Sequence, residues 1–141
     1  MSVHAAADEL THAGIRPAAG WSRRFPAVPA RVGAARSFAG SVLAGCPAAE
    51  DAALCLSELA TNAVLHSRSA ARGGYFTVSV RHGDGGIRVA VTDQGGNWGE
   101  PAQPGGQHGR GLVIVSQVAS AWGRSGSREA GWTVWFALDC P

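Results

Sequence analysis

Ala52-Ala-Leu-Cys-Leu-Ser-Glu-Leu-Ala-Thr-Asn-Ala-Val-Leu65 is almost entirely apolar, apart from an acid, Glu58, and a carboxamide, Asn62, four residues later. Its Ala and Leu content predicts a helix, about 48–66, on which the two polar side chains point the same way, roughly 5–6 Å apart at Cβ. Leu56, Leu59, Ala60 and Ala63 supply its core side. Two readings of the pair stand at this point: the solvent edge of an amphipathic helix, or a place where something polar is held. The rest of the chain decides between them.

Upstream, Val32, Ala35, Phe38, Ala39, Val42 and Leu43 recur at helical spacing behind Pro29, a favoured first helical position, and stop before Gly45 and Pro47. Trp21-Ser-Arg-Arg-Phe25, ended by Pro26, reads as a short edge strand. Downstream, Tyr75–Arg81 and Ile87–Thr92 alternate at period two around His82-Gly-Asp-Gly-Gly86, predicting a hairpin with a five-residue connection. Ala121–Ser125 and Trp132–Leu138 predict a second hairpin around 126–131. Leu112–Ala119 is β-branched and apolar, and its pattern fits a strand or a buried helix equally. The order implies an α+β fold, a two-layer sandwich with helices on one face of a mixed, mostly antiparallel sheet. Residues 1–20 are expected to be a flexible segment, and 21–141 one domain with a lid at 94–110.

Several function classes fall away on composition. The chain has 141 residues, enough for one core, and its net charge of +2 includes no basic run of the kind that binds nucleic acid. All twelve basic residues are arginine, which excludes a P-loop lysine and Schiff-base chemistry. No apolar stretch approaches the ~20 residues that cross a bilayer, and the N-terminus lacks a secretory pattern, so a cytoplasmic protein without membrane contact is expected. Cys46, Cys55 and Cys140 have no C-x-x-C spacing and are read as core or incidental thiols. His4, His12, His66, His82 and His108 form no metal-ligand pattern.

Between positions 95 and 111 lie seven glycines. Such density costs conformational entropy on ordering. Asp93 ends a strand just before the stretch, and Gly109-Arg110-Gly111-Leu112 closes it where a helix could open. Free amides and a helix dipole there would favour an anion. The segment therefore reads as a phosphate-binding lid, against the alternative of a surface loop.

Four motifs now stand in order, and together they carry a resemblance. Ser57-Glu-Leu-Ala-Thr-Asn-Ala-Val-Leu-His66 is similar to the N-box of the GHKL ATPases (gyrase, MutL and histidine-kinase catalytic domains). Asp93-x-Gly95 and Gly109-x-Gly111-Leu112 resemble the two glycine boxes, and Gly131-x-Thr133 resembles the small final motif. Within that superfamily the compact form, with Ser-Glu-Leu-x-Thr-Asn-Ala and Gly-Arg-Gly-Leu, resembles the bacterial anti-sigma-factor serine/threonine kinases of the RsbW/SpoIIAB type, especially actinobacterial members. The resemblance covers about residues 21–138.

It implies a Bergerat ATP-binding fold with ATP and Mg²⁺ as cofactors. Asn62 would bind Mg²⁺ through its amide oxygen, as suits a hard cation that prefers oxygen. Glu58 would be the general base, Asp93 would accept from the adenine amino group, and Gly95 would let the backbone approach the base. Gly109, Gly111 and Leu112 would form the phosphate cradle, with Thr133 near adenine. Arg110 is a candidate for charge stabilisation at the γ-phosphate, or a solvent-facing lid residue; His66 would be structural. The implied partners are a STAS-domain anti-anti-sigma factor as phosphoacceptor and a sigma factor, with a homodimer as the implied assembly. The rivals are a non-catalytic nucleotide-dependent binding module and a simple ATP hydrolase. Two departures bear on catalysis more than on nucleotide binding: the first box runs Gly95-Gly96-Asn97-Trp98, and Gln107-His108 replace the basic residue often found before the second. No separate dimerisation helix with a phosphorylated histidine precedes the domain, so a complete sensor histidine kinase is not expected.

Overall fold

The quoted stretch is the centre of an 18-residue helix, Ala49–His66, free of Gly and Pro, with Glu50 and Asp51 in its first turn where the helix dipole favours acids. It ends at Ser67, whose hydroxyl donates to the Ala63 carbonyl and accepts from the Ser69 amide, turning the chain into a 3₁₀ turn at Arg68–Ala70. The computed structural model describes residues 17–83, 85–96 and 112–140. Three helices lie in this part of the chain: α1 (Val32–Val42, behind a 3₁₀ turn at Pro29–Arg31), α2 (Ala49–His66) and α3 (Leu112–Val118). Five strands, β1 (Pro17–Pro26), β2 (Tyr75–Gly83), β3 (Gly86–Thr92), β4 (Ala121–Ser127) and β5 (Gly131–Asp139), form one sheet in the order β1-β2-β3-β5-β4.

The expected α+β sandwich is the observed one, and its mostly antiparallel sheet is antiparallel at all four described pairings. Alternation explains the layering. Phe76, Val78, Val80, Val89, Val134 and Phe136 enter a core closed by Leu43, Leu56 and Leu59 from the helices. Phe25 bridges the layers, with its ring centroid 5.6 Å from Phe76 and 6.0 Å from Phe38. The alternate residues of each strand form a second face, away from the helices.

The structure sharpens three expectations and overturns one. The edge strand is longer than Trp21–Phe25 and starts at Pro17, still at the sheet's edge. The first hairpin is tighter: Gly83 pairs with Gly86, leaving 84–85 as its connection, and Gly85 takes a φ of +73° that glycine tolerates. Leu112–Val118 is helical, burying Leu112 and Val115 beneath its neighbour α2. Cys46 and Cys140 are not separate thiols. They form a disulfide across a sequence separation of 94, with Cα atoms 5.9 Å apart. Cys46 lies in the turn between α1 and α2, and Cys140 directly follows β5, a proximity no local spacing could show. Cys55 alone is a free, buried thiol. No helix among the described residues is long and apolar enough to cross a membrane.

Candidate functional site

Glu58, Asn62 and His66 follow one another at four-residue intervals along α2. Glu58 and His66 are half-buried, but Asn62 is only 4% exposed, on the flank that meets the rest of the fold. A carboxamide this deep is not the wet edge of a helix, because a buried amide is costly without partners. Glu58 also acts on its neighbour one turn back. Burial, then the charges of Asp51 and Glu58, push the Cys55 thiol up to about 11, so it stays protonated and unreactive at neutral pH.

Asp93 leaves the end of β3 and is 6% exposed. Its Oδ1 accepts from the Gly95 amide at 2.7 Å and from the Trp132 amide at 3.1 Å. The carboxylate is therefore aimed by its own turn and by the first residues of β5. The turn is in turn held from two sides. Toward α2, the Arg68 amide donates to the Gly95 carbonyl at 2.8 Å, the Gln94 amide to the Ser69 hydroxyl at 2.9 Å, and the Tyr75 amide to Gln94 Oε1 at 2.8 Å. Toward the last hairpin, the Gly96 amide donates to the Arg128 carbonyl at 2.9 Å, and the Trp132 indole N–H to the Gly96 carbonyl at 2.7 Å. Asp93 and the Asn62 helix are thus locked to one another through residues 67–69. Gly95 and Gly96 adopt φ of +95° and +108°, which explains a glycine pair here.

This geometry separates a structural role of Asp93 from the adenine-accepting role that the resemblance implies. Asp93→Asn retains one carbonyl oxygen for the two amides but replaces the other oxygen with a donor. Unfolding stability is expected to stay within about 1 kcal/mol of the parent, while ATP affinity falls about 10- to 100-fold because an NH₂ group cannot accept from the adenine amine. Calorimetric titration with ATP beside a thermal melt checks both; equal affinity in the variant would remove Asp93 from the site.

The remaining site residues divide. Gly109, Arg110 and Gly111 lie outside the described residues. Leu112 is present at the start of α3, but its side chain is buried in the core, leaving only its backbone to face a ligand. Thr133 is not brought to Asp93's side. It sits on the sheet face away from the helices, where its hydroxyl bonds that of Thr92 at 2.8 Å. Trp132 stands by Asp93 instead, since β5 sends Val134, Phe136 and Leu138 inward and Trp132 shares their parity. Period-two counting from Phe136 would have found this. Ser67, Ser69 and Gln94, which tie the turn to α2, carry no motif that sequence reading could use. No cluster of three or more His, Cys, Asp or Glu forms a metal site among the described residues.

A five-stranded antiparallel sheet with its helices on one face, and a strand-end carboxylate locked to a helix that buries an asparagine, is the framework of an α+β ATPase domain. The chain belongs to the histidine kinase-like ATPase domain family, whose model matches residues 25–138. No curated protein matches it significantly. Among solved structures, the chain is similar to that of the RsbU and RsbW domains of Rv1364c from Mycobacterium tuberculosis, with a TM-score of 0.68 and 21% identity over 89% of this chain and 34% of that one. It therefore spans about a third of that protein's length. It is also similar to the SiaB-SiaC complex from Pseudomonas aeruginosa, with a TM-score of 0.53 and 13% identity over 99% of this chain and 98% of that chain. At these identities the likeness is one of fold.

Proposed function

We propose that the protein is an ATP- and Mg²⁺-dependent serine/threonine kinase that acts as an anti-sigma factor. It phosphorylates a STAS-domain antagonist and sequesters a sigma factor. The observation that carries this reading is the lock between Asp93 and α2, which holds an adenine-type acceptor in fixed relation to the buried Asn62 within a histidine kinase-like ATPase domain. Family membership supports the use of ATP. The likeness to an RsbW-containing structure and to a two-protein complex supports a regulatory kinase that works on a protein partner.

The residues divide the work by chemistry. The Asn62 amide oxygen fits Mg²⁺, which takes few protein ligands and completes its shell from phosphates and water. Bound there, the cation would neutralise charge on the transferring phosphate. Glu58, one turn earlier and half-buried, takes the proton of the attacking serine or threonine hydroxyl. Asp93 accepts from the adenine amino group, and Gly95 keeps the backbone beside the base free of a side chain. Gly109 and Gly111 cradle phosphates, with Arg110 at the γ-phosphate. Trp132 takes the adenine-end position that Gly131-x-Thr133 had suggested for Thr133. Binding of antagonist and sigma factor to the same protein would then be selected by the bound nucleotide.

The departures at Gly96-Asn97-Trp98 and Gln107-His108 favour a second reading, a module that binds ATP to shape a partner surface without transferring phosphate. One experiment separates them. Incubation with γ-labelled ATP, Mg²⁺ and STAS-domain proteins encoded near its gene is expected to label one such protein on a serine or threonine. Tight ATP binding with no transfer to any of them would sink the kinase and leave the module.

A further inference from the structure

The sheet face turned away from the helices carries a cross-strand row that the nucleotide site does not use. Gly20, Arg81, Arg88, Ala137 and Ala121 stand side by side through the register of β1, β2, β3, β5 and β4. Two arginines are therefore cross-strand neighbours in the middle of a row that is otherwise glycine and alanine.

The arginines are held differently. Arg81 is only 7% exposed, and its Nε has no hydrogen-bond partner among the described residues. Its guanidinium lies across β1 at Gly20, where a Cβ would overlap it, so residue 20 must be glycine for this placement. Arg88 places its guanidinium carbon 4.0 Å from the centroid of the Trp135 ring. Trp135 lies flat over Gly123 in β4, again where a Cβ would collide, at 2.7 Å from the indole nitrogen. Arg81, Arg88 and Trp135 line a cavity of about 390 Å³, with Ala137 and Ala121 among its apolar lining and Asp139 the one acid among its described lining residues. Among the described lining residues, two guanidinium groups stand with that one carboxylate.

We infer that this cavity is a second ligand site, which binds a small organic anion: an apolar body against Trp135 and the two alanines, with a carboxylate or phosphate toward Arg81. A buried donor on a charged group is costly while unpaired, and an anion accepting from a guanidinium forms one of the stronger protein hydrogen bonds. The volume lies near the lower end of the range for small-molecule pockets, roughly 300–1,000 Å³, which favours a compact aromatic or aliphatic acid. The site is separate from the ATP site, because Asn62 and Asp93 belong to the helix side of the sheet. It does not depend on kinase activity.

Arginine Nε–H NMR on the full chain tests the inference, with ADP and Mg²⁺ present throughout and the Arg81 and Arg88 resonances assigned from Arg81→Lys and Arg88→Lys. Phenyl phosphate, benzoate and inorganic phosphate serve as probes, with sodium chloride at equal ionic strength as control. The Arg81 resonance is expected to shift saturably with phenyl phosphate, with benzoate or with both, and their relative affinities identify phosphate or carboxylate as the head group. Affinity should exceed that for inorganic phosphate by about fivefold or more, from burial of the apolar body. Arg81→Lys should weaken binding about tenfold, because lysine lacks the planar fork. Ala137→Leu, which fills the cavity and leaves both arginines in place, should abolish it. Shifts no larger than those in sodium chloride, equal affinity for inorganic phosphate, or unchanged binding in Ala137→Leu would each overturn the site.

Discussion

Glu58→Gln is expected to slow phosphoryl transfer about 10²- to 10⁴-fold, with ATP affinity within about twofold of the parent. The substitution keeps size and helix propensity and removes only the ability to take a proton. Glu58 is half-buried on α2 and the variant keeps its size, so unfolding stability should change by no more than about 0.5 kcal/mol. Asn62→Ala should do the converse. It removes a buried amide and the proposed Mg²⁺ ligand, so the Mg²⁺-dependent part of ATP affinity is lost before any step that Glu58 governs. Single-turnover transfer to the proposed STAS-domain substrate and calorimetric ATP titrations distinguish the two. Undiminished transfer by Glu58→Gln removes Glu58 from the chemistry, and ATP affinity falling in step with the rate recasts it as a binding residue.

Gly95→Ala is expected to destabilise the fold by about 2–5 kcal/mol and to abolish ATP binding where the protein remains folded. Two costs add. The φ of +95° is unfavourable for any residue with a Cβ by roughly 1–2 kcal/mol. The new Cβ would also meet the Arg128 carbonyl oxygen, which is backbone and cannot swing aside. Relief requires the turn to move, and then the Gly95 amide loses Asp93 and the Gly95 carbonyl loses Arg68, each about 1 kcal/mol or more. Asp93, the proposed adenine acceptor, is unmoored by the same shift. Gly33→Ala and Gly40→Ala in α1, where a Cβ meets nothing within 4 Å, are the matched controls and should each stabilise by about 0.5–1 kcal/mol. Urea melts of the three variants check the contrast. A Gly95→Ala protein as stable as its controls would show that the turn yields freely.

Much of the fold was legible because its signals are local. Eighteen residues without Gly or Pro and with a buried Ala/Leu stripe can hardly be other than α2. Alternation in Tyr75–Arg81, Ile87–Thr92 and Trp132–Leu138 marks strands with one buried face. Leu112–Val118 was undecided because a short apolar run satisfies both periods, and its packing beneath α2 settled it as a helix. The hairpin connection was overestimated because Gly83 and Gly86, which read as turn residues, still pair across the ladder.

The site was legible only by residue type. Glu58, Asn62, Asp93 and Gly95 stand out because an acid, an amide and a glycine are unexpected in those places. Their mutual placement is tertiary. Asp93 is aimed by amides of Gly95 and of Trp132, the latter 39 residues away, and its turn is tied to α2 through Ser69 and Arg68. Thr133 illustrates the limit. A motif match names a position, but the pleat decides which face it meets, and one residue's shift of parity delivers Trp132 to the site and Thr133 to the opposite face.

The elements, their α+β order and the polar residues that no core needs can be read from the chain alone, because periodicity and residue chemistry act within a few positions. That Cys46 meets Cys140, that Arg81 and Arg88 pair across β2 and β3 with Gly20 and Trp135 beside them, and which residues share the Asp93 turn are set by the assembled fold. Those contacts join residues far apart in the chain, and their energies exist only once the sheet register has brought the backbones together.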